Sequence, residues 1–324
     1  MTSARRTPTL LGIAAAALLL GGCAAIVDKR ATTREAEFEA RFPPTGQLLQ
    51  VNGTTVHADI RGQGPDLVLI HGASGNTRDF TFDLVDRLTD HYRVIAFDRP
   101  GLGWTDPIGD QTDNPLAQAE LLRAAAQQLD VKNPIILGHS YGGAVTMAWA
   151  LRDPSGPAAL VLVSGATYPW PGELSGWYDF INSSIGEHTA VPLITAFAPE
   201  SRVDDIVAGI FAPQDPPAGY VDFIGAGLSA RRASLSANSK QVGHLKPYLA
   251  AMAPHYPELT MPIEIVHGDA DDTVYLDVHS GRMARELPNA SLTVLHGVGH
   301  MPHHADPQAI VDAIDRAAER AGVR

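Results

Sequence analysis

"PIILGHSYGGAVTMAWA", residues 134–150, is an apolar run that breaks at Gly138 and restarts as an amphipathic pattern, with one serine held among three glycines. A short continuous apolar stretch followed by a longer amphipathic one reads as a buried strand turning into a helix. Gly138-His139-Ser140-Tyr141-Gly142 fits the pattern G-x-S-x-G. Such a turn holds the serine in a strained backbone conformation, so the residues two before and two after it must be nearly free of side chain. Glycine and serine also recur in ordinary turns, so whether Ser140 is a nucleophile depends on what the rest of the chain brings to it.

Working outward, "DLVLIH" (66–71), "YRVIAF" (92–97) and "ALVLV" (159–163) are further continuous apolar runs, as expected of parallel strands covered on both faces. "QLLQV" and "TTVHADI" flank Asn52-Gly53, which reads as a hairpin turn. Helical patterns at about 78–90, 115–130 and 141–152 lie between the runs. The fold class expected is α/β, a doubly wound and mostly parallel sheet. The alternation stops at Ser164 and resumes with "PIEIVHG" (262–268), "SLTVLHG" (291–297) and a terminal helix from about Asp306.

The intervening stretch has no good buried strand and carries Trp170, Trp177, Tyr178, Phe180, Phe197, Phe211, Tyr220 and Phe223. It reads as an inserted, mainly helical cap over the strand ends, and for most of these aromatics the economical role is the insertion's own core. "SARRASLSANSK" (229–240) carries three positive charges, suiting either a solvated helix face or an anionic group.

A serine hydroxyl is a poor nucleophile near neutral pH, so a base must take its proton and a carboxylate must hold that base in the right tautomer. Asp269-Ala270-Asp271-Asp272 follows "PIEIVHG", and Val298-Gly299-His300 follows "SLTVLHG". The order is serine, acid, histidine. Spacing alone does not choose among Asp269, Asp271 and Asp272.

With these motifs the chain from about Gln47 to the C-terminus resembles an α/β-hydrolase fold enzyme. The family's G-x-x-D loop matches Gly268-Asp269-Ala270-Asp271 and so selects Asp271, and its G-x-G-H loop matches Gly297-Val298-Gly299-His300 and selects His300. "HGASGN" (71–76) is similar to the family's oxyanion loop, which implies the N–H groups of Ala73 and Tyr141 as donors to a tetrahedral oxyanion. "FDRPGLGWTD" (97–106) is similar to its D-x-P-G-x-G segment, which gives Asp98 a structural role. His71 and His139 read as loop supports. His303 and His304 beside His300 invite a metal reading, but without further ligands the expectation is no metal and no cofactor. Epoxide hydrolases and haloalkane dehalogenases of this fold carry aspartate at the elbow, so the resemblance implies a serine hydrolase, carboxylesterase- or lipase-like, acting on a small or medium apolar acyl substrate. Rival readings are a ligand-binding lipoprotein with little turnover and a cofactor-free perhydrolase or haloperoxidase.

At 324 residues, 45% hydrophobic and with a formal charge of −12, the chain is globular and has no clustered basic face for nucleic acid. Its N-terminus, "MTSARR" and then "TLLGIAAAALLLGG", reads as a signal peptide over 1–22. The chain's one cysteine, Cys23, ends that run, and "LGGC" (20–23) resembles the bacterial lipobox, which implies lipidation of Cys23 and a membrane partner through that anchor. Ala24 after it suggests the periplasmic face of the outer membrane. Residues 23–46 read as a tether with one charged helical stretch ending at Pro43-Pro44, 47–164 and 259–324 as the hydrolase core, and 165–258 as the cap.

Overall fold

The computed structural model describes residues 10–324, with side chains from Gly21 onward. Eight strands form one sheet: β1 (Gln47–Val51), β2 (Thr54–Arg61), β3 (Asp66–Ile70), β4 (Arg93–Phe97), β5 (Ile135–His139), β6 (Ala159–Val163), β7 (Ile263–Gly268) and β8 (Ala290–Leu295). Their order is β1-β2-β4-β3-β5-β6-β7-β8. β1 and β2 form an antiparallel hairpin whose turn places Asn52 and Gly53 at positive φ, and β2 is antiparallel to β4. All later neighbours are parallel.

Burial explains the apolar runs. Every residue of β5 and β6 is buried, because helices pack on both faces. On one face Tyr141–Arg152 and Pro115–Gln128 contribute Ala144, Ala148, Leu122 and Ala125, while on the other Pro307–Ala321 contributes Ile310, Ile314 and Ala317. The terminal helix starts where Asp306 accepts a hydrogen bond from the N–H of Ala309.

Between β6 and β7 the chain is helical and strand-free, and it forms the cap. Phe211 and Tyr220 are buried within it, but Trp177, Phe180, Phe197 and Phe223 stay exposed, contrary to the core role expected for most of the cap aromatics. Short amphipathic pieces broken by prolines cannot enclose them.

Residues 1–9 of the expected signal peptide lie outside the described residues. A single helix, Leu10–Arg41, runs through Cys23 and most of the segment read as a tether. That segment is not free: it lies against the cap, with Ala31, Phe38 and Phe42 buried and the latter two packed on Leu228. Arg30 and Arg34 donate to the carbonyls of Ala196 and Thr195. Arg232 pairs with Glu35 and Asp28, and Arg231 with Glu39. Of the three basic residues in 229–240, Arg231 and Arg232 are therefore partners of the N-terminal helix, and Lys240 pairs with Glu187 of the cap. The first of these contacts is made at Asp28, after Cys23.

Candidate active site

Ser140 stands at the start of the helix Tyr141–Arg152 with φ 53° and ψ −120°, a region side-chain-bearing residues rarely occupy. Its N–H donates to the carbonyl of Val163 and its carbonyl accepts from Gly143 and Ala166, so the strained turn is fixed by β6 and the loop after it. Both flanking glycines are sterically required. A Cβ on Gly138 would run into the Gly142 carbonyl, and one on Gly142 would run into the carbonyl of Ile70.

The Oγ of Ser140 lies 2.9 Å from Nε2 of His300, and Nδ1 of His300 lies 2.8 Å from Oδ2 of Asp271. All three side chains are nearly buried. Because a carboxylate only accepts, Nδ1 carries the imidazole proton and Nε2 presents its lone pair to the serine. The other oxygen of Asp271 accepts from the N–H groups of Thr273 and Val274, each at 2.9 Å. His267 stands behind, with Nε2 at 3.2 Å from Oδ2 of Asp271 and at 2.7 Å from the Val274 carbonyl. Burial alone would raise the Asp271 carboxyl, but hydrogen bonds from His267 and His300 outweigh it and hold it far below the usual carboxylate range. Asp269 faces elsewhere, bonded to His296 and the N–H of Gly297, and Asp272 is exposed.

The loop 71–75 abuts the nucleophile: a Cβ on Gly72 would approach Cβ of Ser140 to 3.0 Å. Among the described residues neither the N–H of Ala73 nor that of Tyr141 donates to a protein acceptor, so both are free to meet a bound group. Arg99, a residue sequence reasoning did not single out, holds this loop. It is fully buried and donates to the carbonyls of His71 and Gly72 and to Gln118 and Gln241, with its guanidinium 4.2 Å above the Tyr141 ring. Burial lowers it to about 10, so it is charged at neutral pH. Asp98 accepts from Thr77, Trp104 and His57, which ties the loop after β4 to β2 and to the turn at Thr77. The cap adds Gln214, which grips the histidine loop by accepting from Gly299 and donating to Gly297.

Beneath the triad lies a second buried cluster that local motifs could not reveal. Asp79 accepts from Tyr220 (2.7 Å) and His304 (2.9 Å) and lies 3.2 Å from His303. Burial would raise Asp79, but His303 and His304 hold it well below the carboxylate range. Asp79, His139 and His303 are close enough to offer ligand atoms to one cation. The carboxylate is, however, already occupied by the donors just named. The other nitrogen-bearing neighbour, His139, donates through Nε2 to the carbonyl of His300 at 2.9 Å, so it supports the backbone of the triad histidine.

Two buried histidines make stability depend on pH. His71 accepts the N–H of Arg99, and His279 accepts those of Thr167 and Tyr168. Burial, aided by Arg99 and His267 respectively, pushes both down to about 4. The unfolded chain takes up these protons near pH 6.5 while the folded one refuses them until about 4. Stability is therefore full above about 6.5 and is lost as pH falls to about 4, by on the order of 3 kcal/mol per histidine. Urea midpoints should drop between pH 7 and pH 4.5, and His279→Gln should flatten the drop; an unchanged slope in that variant would contradict the assignment.

A buried serine at a strand-to-helix elbow, a histidine on its hydroxyl and a carboxylate on that histidine define a serine-hydrolase arrangement on a mostly parallel, capped sheet. The chain belongs to the alpha/beta hydrolase family, whose sequence pattern matches residues 67–313. It is 28% identical over 274 residues to a 2-hydroxy-6-oxononadienedioate/2-hydroxy-6-oxononatrienedioate hydrolase of a Pseudomonas species, covering 79% of this chain and 89% of that one. It is 25% identical over 307 residues to an uncharacterized protein of Mycobacterium tuberculosis, covering 85% of this chain and 81% of the other. Among solved structures it is similar to a membrane phospholipase A, described as a bacterial virulence factor, with a TM-score of 0.67 at 21% identity over 96% of this chain and 98% of that one.

Proposed function

We propose that the protein is a serine hydrolase cleaving a carboxylic ester of a small or medium apolar substrate through a covalent acyl-enzyme. The observation that carries this is the hydrogen-bonded chain from Ser140 through His300 to Asp271. In the first step Ser140 Oγ attacks the ester carbonyl carbon as His300 Nε2 takes the hydroxyl proton. The oxyanion is met by the N–H groups of Ala73 and Tyr141, and collapse expels the alkoxide, which leaves with the proton from His300. Water, deprotonated by the same histidine, then releases the acid and restores Ser140. Asp271 keeps the proton of His300 on Nδ1 and stabilises the imidazolium that forms twice per turnover. A fluorophosphonate should add once per chain, and peptide mapping should place the adduct on Ser140; an adduct elsewhere, or none, would refute the reading.

The domain plan extends the same proposal: a signal peptide over 1–22, a lipid-anchored segment from Cys23, and a core in two parts around the cap. Cys23 is exposed, and the docked part of the N-terminal helix begins beyond it, so removal of 1–22 leaves every described contact with the cap in place. Among the described residues no helix is long and apolar enough to cross a membrane. The position proposed is the periplasmic face of the outer membrane. The intact mass of the chain extracted from membranes should correspond to a start at lipid-modified Cys23; retention of Met1 would refute it.

A further inference from the structure

Of the ten large apolar side chains left exposed among the described residues, seven lie on the cap and one on the N-terminal helix. Six of these follow one another across elements in contact. Trp177 and Phe180, whose rings are 6.2 Å apart, lie on the helix Gly176–Asn182. Ile185 opens the next helical stretch, Gly186–Ala190, which runs directly into Val191–Phe197. Leu193 and Phe197 are one turn apart on that last helix. Against Phe197 lies the N-terminal helix, with the Arg30 guanidinium 4.8 Å from its ring, and Ile26 stands one turn earlier, 65% exposed.

The helix is unbroken from Cys23 to Arg30, a rise of about 10 Å. It is also pinned to the cap by both arginine-to-carbonyl bonds and the Arg232 ion pairs. A flexible tether would let the enzyme stand off from its anchor. This one holds the near edge of the apolar face, at Ile26 and Phe197, within a helix turn or two of the anchoring residue. Isolated surface leucines need no explanation, but a run of aromatic and aliphatic side chains continuous with an anchor has an obvious neighbour.

We propose that the cap face formed by Ile26, Trp177, Phe180, Ile185, Leu193 and Phe197 docks on the lipid bilayer that holds the Cys23 anchor. This inference rests on the anchored reading of Cys23. The N-terminal helix is then a rigid post, and the cap, the element that covers Ser140, is the part of the enzyme pressed to the membrane.

The test uses the full chain from native membranes, reconstituted in vesicles of phosphatidylethanolamine and phosphatidylglycerol with or without brominated acyl chains. Trp177 is the reporter, isolated by difference against Trp177→Phe. Flotation with the vesicles reads the anchor; a blue shift of Trp177 emission and its quenching by brominated chains read the docking. The expected result is flotation with quenching, and loss of quenching in Leu193→Asp/Phe197→Asp while flotation and turnover of a soluble short-chain ester persist. Flotation with Trp177 unquenched would overturn the docking and leave the anchor standing. Failure to float would overturn both. Unquenched Trp177 with dimers in sedimentation that the double variant dissolves would assign the face to a second copy and overturn the membrane proposal.

Discussion

Ser140→Ala is expected to lower turnover of a chromogenic ester by about 10⁴- to 10⁶-fold and to abolish fluorophosphonate labelling. The loss is large because in the proposed mechanism the hydroxyl oxygen forms the acyl bond, and among the described residues no other hydroxyl meets Nε2 of His300. What remains, the Ala73 and Tyr141 N–H groups and the substrate-binding surface, can still favour attack by water, so a residual rate above background is consistent. The variant should fold: the side chain is small, the turn is held by backbone bonds to Val163, Gly143 and Ala166, and those are unchanged. A urea midpoint close to the parent's, together with lost turnover, is the signature sought. Undiminished turnover would remove Ser140 from the chemistry.

The second large effect is expected at Asp271. In Asp271→Asn one amide oxygen can still accept from Thr273 and Val274, but the NH₂ group then faces Nδ1 of His300. A donor there favours the tautomer with its proton on Nε2, which blocks acceptance of the serine proton, and kcat should fall by about 10⁴-fold. The drop should ease as pH rises and hydroxide replaces the histidine as base. Asp269→Asn is the comparison, since Asp269 bonds His296 and Gly297 at the surface and should change kcat little. If the two variants behaved alike, or Asp269 mattered more, the acid would be misassigned.

Much of this architecture was legible in local sequence. Runs such as "ALVLV" leave no face for water, and β6 spans those same residues, 159–163. The elbow was legible because two glycines at fixed offsets answer collisions with backbone. The acid was not legible from spacing, since three aspartates lie within four residues; the resemblance singled out Asp271, and in the structure its carboxylate is the one that meets His300.

Arg99 and Asp79 escaped because their partners lie far along the chain. Gln241 is 142 residues from Arg99, and His304 is 225 from Asp79. The segment 23–46 looked like a tether for a similar reason. The partners of its charges, Arg231 and Arg232, lie some two hundred residues on.

The histidine beside the nucleophile has a consequence for proton traffic. The ring of His139 stands 5.0 Å from that of His300 and 4.5 Å from that of His303, so it is placed as a stepping stone between the triad and the Asp79 cluster. It is wired the wrong way for that use. Its Nε2–H ends on the carbonyl oxygen of His300, which has no proton to give, and burial with the neighbouring His303 and His300 keeps the ring neutral, well below the ordinary histidine range. The two ring nitrogens of His300 are committed to Ser140 and Asp271. In the proposed mechanism a proton lifted from the serine is thus confined to a closed circuit, and its exit is through the departing alcohol.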